Sequence, residues 1–263
     1  MTRLRKVEGL LKISRKTYSG IPWHFVDSAV EVKSKRSAKQ SSSKAGAYAG
    51  LHNQARPDKP GVYALASSPF GYTILWSDPA GLQSSEMFGW DVLQPLVCYI
   101  YSLYKPPDGH LMFDKSLTLE HGLDLSRDPL WRIQFKGEDY RNCRVLSVSP
   151  LWFRTSWVAV GQNSVNKMVV IKDQYHTIGK RHIEAEHFKS IQSGIPGNVY
   201  EGLVHVCAAG YVEGVFTQGQ HCQKTRIIME TLGDSLWNCN SLLEFFKVMY
   251  DTLEGCIHLN HLP

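Results

Sequence analysis

The run Val169-Val170-Ile171-Lys172 places the tightest constraint on what this chain can fold into. Three β-branched residues in succession lose rotamer freedom in a helix and fit a pleated strand. The strand closes on a cation. Shortly afterwards the period changes. At about 100° per residue, Ile183, His187, Phe188 and Ile191 share one face of a helix, with Glu184 inside that face and Glu186 on the opposite side. A carboxylate on an apolar stripe needs a partner, and Lys172 is the candidate. A strand lysine met by a helix glutamate requires a mixed fold with the helix packed on the sheet.

The remaining pattern extends this to an α+β chain. Residues 22–26 and 29–32 read as extended, 33–44 as a polar exposed loop and 45–54 as a short helix ended by Pro57 and Pro60-Gly61. Residues 62–66 and 72–76 alternate as paired strands. Asp78-Pro79-Ala80-Gly81 is a turn, and 92–104 reads as a buried helix stopped by Pro106-Pro107, neither of which donates a helical hydrogen bond. Strands are expected at 131–135, 144–148, 204–207 and 226–229. A hairpin of 153–160 with 167–172 is expected around Gly161-Gln162-Asn163-Ser164, and a helix over 177–192. Residues 241–259 have the best helical pattern, with Ser241 as N-cap and Glu244 in the capping-box position. The division expected is an N-terminal mixed α/β module, 1–127, and a second module, 128–263.

Charge separates the two. Residues 1–46 hold eleven Lys and Arg against three acids, so the net charge of +5 comes from this segment and the remainder is slightly acidic. Such a segment can attract nucleic acid or an anionic surface. The six cysteines form no C-x-x-C pair and no zinc-finger spacing. With no secretory leader in view they read as reduced thiols of an intracellular protein, cytoplasmic or nuclear. The most apolar window, 92–104, falls short of the roughly 20 residues a bilayer span needs, and no membrane contact is expected.

Lys172 and Glu184 suit phosphate binding: a stiff strand presents the cation and a carboxylate orients it. Gly161 is the one glycine of the expected phosphate loop, Val160-Gly161-Gln162-Asn163-Ser164, in which Asn163 tolerates φ > 0. Arg226 to Gly233 reads as a strand and turn; on the mapping that a resemblance to protein kinases implies, it enters the hinge, with Met229 behind the adenine pocket and the backbone of Glu230 to Leu232 supplying hydrogen bonds.

Several stretches in order resemble the fungal-type protein kinase domain family, a divergent relative of the protein kinases. The carriers are Val30-Glu31-Val32-Lys33, the Asp78 to Gly81 turn with Ser84-Ser85, and Val170-Ile171-Lys172-Asp173. Next come Arg181-His182-Ile183-Glu184-Ala185-Glu186, Gly194-Ile195-Pro196-Gly197, Thr231-Leu232-Gly233 and residues 241–258 with Glu244, Asp251 and His258. The resemblance covers the chain from about residue 22 onward. It implies a kinase-like small lobe leading into a large lobe, ATP and Mg²⁺ as cofactors, and Ser/Thr phosphoryl transfer to a protein substrate in the intact family. It would also call for His-Arg-Asp, whose Asp is the base, and Asp-Phe-Gly, whose Asp holds Mg²⁺. Neither occurs among the 263 residues. The expectation is a truncated or inactive kinase domain, or a non-catalytic interaction module, with no catalytic base of its own.

A competing chemistry lies near the N-terminus. Asp27 with Glu31-Val32-Lys33 is similar to the D…E-x-K signature of restriction-endonuclease-like nucleases, where carboxylates hold Mg²⁺ and the lysine helps activate water. Glu31 and Lys33 share a strand face, the basic cluster suits nucleic acid, and Gln54 follows as a polar helper. His258 and His261 stand three apart and read as helix-surface residues.

Overall fold

The computed structural model describes residues 23–34, 38–105, 113–120, 128–149, 156–179, 184, 186–187, 204–217, 222–230 and 239–260. It has mixed helix and strand content built on two sheets.

The first sheet has four strands in the order β1 (Ala29–Val32), β2 (Val62–Ser68), β3 (Gly71–Asp78), β4 (Gly81–Ser84). β1 and β2 are parallel, so the chain must cross over between them, and helix α1 (Ala38–Ala55) makes that crossing. The polar stretch expected to be a loop therefore contributes its second half to a helix. The reason is a narrow stripe of small and aromatic residues. Ala45, Tyr48, Ala49 and His52 recur at helical spacing and pack on Ala29, Ala64 and Leu75. Helix α2 (Gln94–Tyr104) covers the other face of the sheet, where Tyr99, Leu96 and Leu103 meet Leu65, Tyr72 and Ile74. It is buried on that side only. Val97, Ile100, Tyr101 and Tyr104 are exposed, which corrects the expectation of a fully buried helix.

The second sheet has seven strands, all antiparallel, in the order β10 (Val206–Phe216), β11 (Cys222–Met229), β9 (Met168–Thr177), β8 (Ser156–Gln162), β7 (Glu138–Val148), β6 (Leu130–Phe135), β5 (Leu117–Leu119). β5, which lies ahead of residue 128, pairs with β6 and so belongs to this sheet. Lys136 and Gly137, both at positive φ, form the two-residue β6–β7 turn. From that turn Lys136 Nζ donates to the Ala209 carbonyl on β10 at 2.6 Å, so the sheet curls until its distant strands approach. The concave face holds the main core: Trp131, Ile133, Phe135, Cys143, Trp157, Ala159, Val169, Ile171 and Ile228.

Four charged side chains share this concave face and are almost wholly buried: Asp114, Asp173, Lys224 and Arg226. Arg226 donates to both Asp173 oxygens at 2.6 and 2.8 Å and reaches Asp114 at 3.2 Å. Lys224 Nζ lies 2.7 Å from Asp114 and 2.8 Å from Asp173. The same ammonium donates to the Pro57 carbonyl at 2.9 Å, and the Asp114 amide donates to the Asp58 carbonyl, so the cluster fastens the loop after α1 to the second sheet. Gln54 Nε2 adds a bond to the Ser149 carbonyl at 2.7 Å. Burial pushes the Asp114 carboxyl up, but Lys224 and Arg226 more than offset it and hold the group at about 2. Burial likewise opposes charge on Asp173 and Arg226. The opposite charges around them win, lowering the first and raising the second.

Removing one member leaves its partners buried and uncompensated. Arg226→Leu is expected to cost about 3–5 kcal/mol in urea unfolding; a loss under about 1 kcal/mol would contradict this account.

His52 generates a pH dependence. It is fully buried on α1. Burial, then the nearby Lys59 and Arg56, lower it from 6.5 to about 3. The folded state thus binds fewer protons than the unfolded chain between those values. Stability is fully present above about 6.5 and falls with acidification, by up to about 1.4 kcal/mol per pH unit. Asp114 acts in the same sense further down, between 3.8 and about 2. Chemical unfolding from pH 7 to 4 should show this slope in the native chain and a flat profile in His52→Leu.

Candidate functional site

Lys172 lies in the middle of β9, opposite Val158 on β8 and Ile227 on β11. Strand alternation turns it to the convex face, away from the main core. There it is surrounded by Val158, Val160, Val170, Ile227 and Met229, with Val206 and Ala209 beyond, most of them buried. The helical residue Glu184 meets it. Lys172 Nζ donates to both carboxylate oxygens at 2.8 Å. The lysine side chain is 24% exposed and the glutamate 36%, so the bonds form in a half-dry setting where a charge-assisted pair holds better than on open surface. Glu186 is exposed, as the helical angle predicted, but His187, which the same angle placed on the Glu184 face, is exposed as well. The arrangement is a cation fixed by a carboxylate above an apolar floor. That combination can take an anionic group and a flat apolar ring together. Of the expected helix 177–192, residues 184, 186 and 187 are helical, Thr177 ends β9, and the helix partners Ile183, Phe188 and Ile191 lie outside the described residues.

Met229 stands on the same face, opposite Val170. Glu230 differs from expectation. Its amide donates to the His205 carbonyl at 3.0 Å and so completes the sheet instead of facing a ligand. Its carboxylate accepts from Lys167 Nζ at 2.6 Å. Leu232, with Thr231 and Gly233, lies outside the described residues, as do the segments 181–183 and 194–197.

Gly161 is not brought to Lys172. It is inside β8, paired with Val169, and a Cβ there would sit 2.4 Å from Cys143 Sγ and 3.0 Å from the Arg141 carbonyl oxygen. That is the concave face, opposite the lysine. Its glycine serves close packing against β7. Asn163 does not supply positive φ either; Asn166 does, at 61°, while the Asn163 side chain accepts from the amides of Val165 and Lys167. By register the connection nearer Lys172 is the one joining β7 to β8, since β8 begins at Ser156, two residues from Val158. Residues 150–155 of that connection lie outside the described residues.

Of the nuclease-like set, Glu31 and Lys33 share a strand face as expected. Glu31 is buried and pairs with Lys33 at 3.3 Å. Asp27 is largely exposed, with Lys59 at 3.8 Å. Gln54 is turned to the Ser149 carbonyl at the junction of the two sheets. Each carboxylate thus has its own lysine. Helix α3 (Leu242–Asn260) starts as expected: Ser241 Oγ accepts from the Glu244 amide at 3.1 Å, while the Glu244 carboxylate reaches back to the Asn240 amide at 2.8 Å. His258 falls on this helix and His261 outside the described residues. Among the described residues no helix is long and apolar enough to cross a membrane.

Gly161→Ala is expected to destabilise by about 1–3 kcal/mol through overpacking. Cys143→Ala in the same chain should recover part of that loss by removing the nearer atom. Full tolerance of the alanine in a urea titration would contradict the packing role.

Compared with protein-family models, curated proteins and solved structures, the chain finds no match.

Proposed function

We propose that this chain binds ATP with Mg²⁺ on the convex face of the second sheet, as the small lobe of a protein-kinase-like fold of the fungal type. The observation that carries the reading is the Lys172–Glu184 pair, two bonds of 2.8 Å above an apolar floor. The strand arrangement adds support. Counting β7 as first, the lysine is on the third of five successive antiparallel strands, and the glutamate is on the helical segment that follows. A lysine on the third strand paired with a helix glutamate is the kinase means of gripping the α and β phosphates.

The roles follow from position. Lys172 holds phosphate oxygens and Glu184 fixes its Nζ. Val158, Val170 and Met229 form an apolar bed for the base; Leu232, the other residue expected there, lies outside the described residues. Mg²⁺ would arrive with the nucleotide and would neutralise part of its phosphate charge. Phosphoryl transfer to Ser or Thr needs a base and a metal-holding aspartate from the His-Arg-Asp and Asp-Phe-Gly motifs, which the sequence lacks. The reading is therefore nucleotide binding without transfer by these residues. The nuclease alternative is less favoured because Asp27 is largely exposed and lies 3.8 Å from Lys59.

Thermal unfolding against Mg-ATP provides the test. At ten times its Kd the nucleotide should add about 1.4 kcal/mol to stability. Lys172→Ala should abolish the shift, and Glu184→Gln should weaken it while leaving the nucleotide-free midpoint close to native. No shift at millimolar Mg-ATP, or an equal shift in Lys172→Ala, would sink the proposal.

A further inference from the structure

At the end of β10 and β11, three side chains of different chemistry converge. His205 Nδ1, Cys207 Sγ and a Glu230 carboxylate oxygen all lie within 4.8 Å of one another. We propose that they form a binding site for a borderline-soft divalent cation, Zn²⁺ by preference. The site does not depend on the nucleotide reading. Met229 faces the Lys172 side of the sheet, and by alternation Glu230 turns to the reverse.

The backbone explains why the three meet. Val206 pairs with Met229 and Ala208 with Ile228, so Cys207 is the additional residue of a β-bulge. A bulge bends its strand and re-aims the side chain it carries. The Glu230 amide bonds to the His205 carbonyl at 3.0 Å, which places those two residues side by side across the sheet.

The geometry is close to what a zinc ion requires. Ligand atoms at about 2.0–2.3 Å from a tetrahedral ion stand roughly 3.3–3.8 Å apart. His205 Nδ1 already lies 3.3 Å from Glu230 Oε2. Cys207 is exposed and His205 part-exposed, so small rotations suffice to close the remainder. Nδ1 itself is buried and, among the described residues, makes no hydrogen bond, an unfavourable state that a cation would relieve.

The donor set selects the ion. Thiolate, imidazole and carboxylate together suit Zn²⁺, whereas Mg²⁺ and Ca²⁺ take oxygen ligands. Three protein ligands leave the fourth position to water. Binding releases the Cys207 thiol proton to solvent. Lys167, whose Nζ is 2.6 Å from Glu230 Oε2, occupies the place of a cation at that oxygen. It competes with the metal.

Cobalt(II) titration of the full chain, without nucleotide, tests the site, because a thiolate ligand gives Co²⁺ a charge-transfer band that Zn²⁺ then bleaches. The expected result is one saturable equivalent. Cys207→Ser removes the band. His205→Ala and Glu230→Gln each weaken binding by about tenfold or more, and Lys167→Met tightens it. Cys98→Ser, altering an exposed thiol on α2, changes nothing. Far-UV circular dichroism confirms that each variant is folded, and His205→Ala carries the test should Cys207→Ser not be. No band, a band that survives Cys207→Ser, or one lost in Cys98→Ser would overturn the proposal.

Discussion

Two carboxylates and two cations meet inside the curled sheet, and much of the molecule is arranged around them. Asp173 and the Lys224–Arg226 pair come from neighbouring strands, and Asp114 comes from the segment ahead of β5. Each ion loses several kcal/mol of hydration on burial. That cost is met because the charges balance and the bonds are short. Arg226 engages both oxygens of Asp173, and the remaining donors find Asp114, Ser116 and the Pro57 carbonyl. The cluster therefore joins four pieces of chain that are distant in sequence. Hydrophobic packing alone, being non-directional, would not define their relative placement.

The candidate site depends on this arrangement through one strand. Lys172 and Asp173 are consecutive on β9 and point to opposite faces. The buried cluster holds Asp173 from behind, while Glu184 holds Lys172 from in front. The lysine thus extends from a strand whose position is fixed on its reverse side by three ionic contacts to Asp173. A rigid element carrying a functional side chain limits how far that side chain wanders.

Some of this was readable from the residues. The Lys172–Glu184 pair was, because both signals are local: a β-branched run, and a helical angle that separates Glu184 from Glu186. The exposed stripe of α3 was legible for the same reason. Leu242, Leu243, Phe246, Tyr250 and Leu253 recur at helical spacing and are all more than half exposed. The buried charges were not. Asp173, Lys224 and Arg226 each look like surface positions of a strand, and their partner Asp114 is 110 residues from Lys224. The available signal was parity: Ile171, Asp173 and Tyr175 alternate together, as do Lys224, Arg226 and Ile228, so the charges share a face with core residues. Gly161 is a related case: it is near the lysine in sequence, but register puts it on the opposite face of the sheet. His205, Cys207 and Glu230 meet only through a bulge, which leaves no regular period behind.

Register is what the buried charges add beyond stability. A slip of one residue in β9 would carry Asp173 to the convex face and Lys172 into the core. Valine or isoleucine at those positions would make either register acceptable, since β9 is apolar at Val169, Val170 and Ile171 and both faces contain aliphatic neighbours. With charges present the alternatives separate. In the slipped register Arg226 faces no carboxylate from β9, and Lys172 is buried without Glu184. Each is an uncompensated ion in a dry interior. The strand that presents the candidate ligand-binding lysine is thus held in register by its oppositely charged neighbour one residue along. A sequence reader could apply the same logic elsewhere: adjacent opposite charges within a β-branched run mark a strand whose two faces both carry ionic partners.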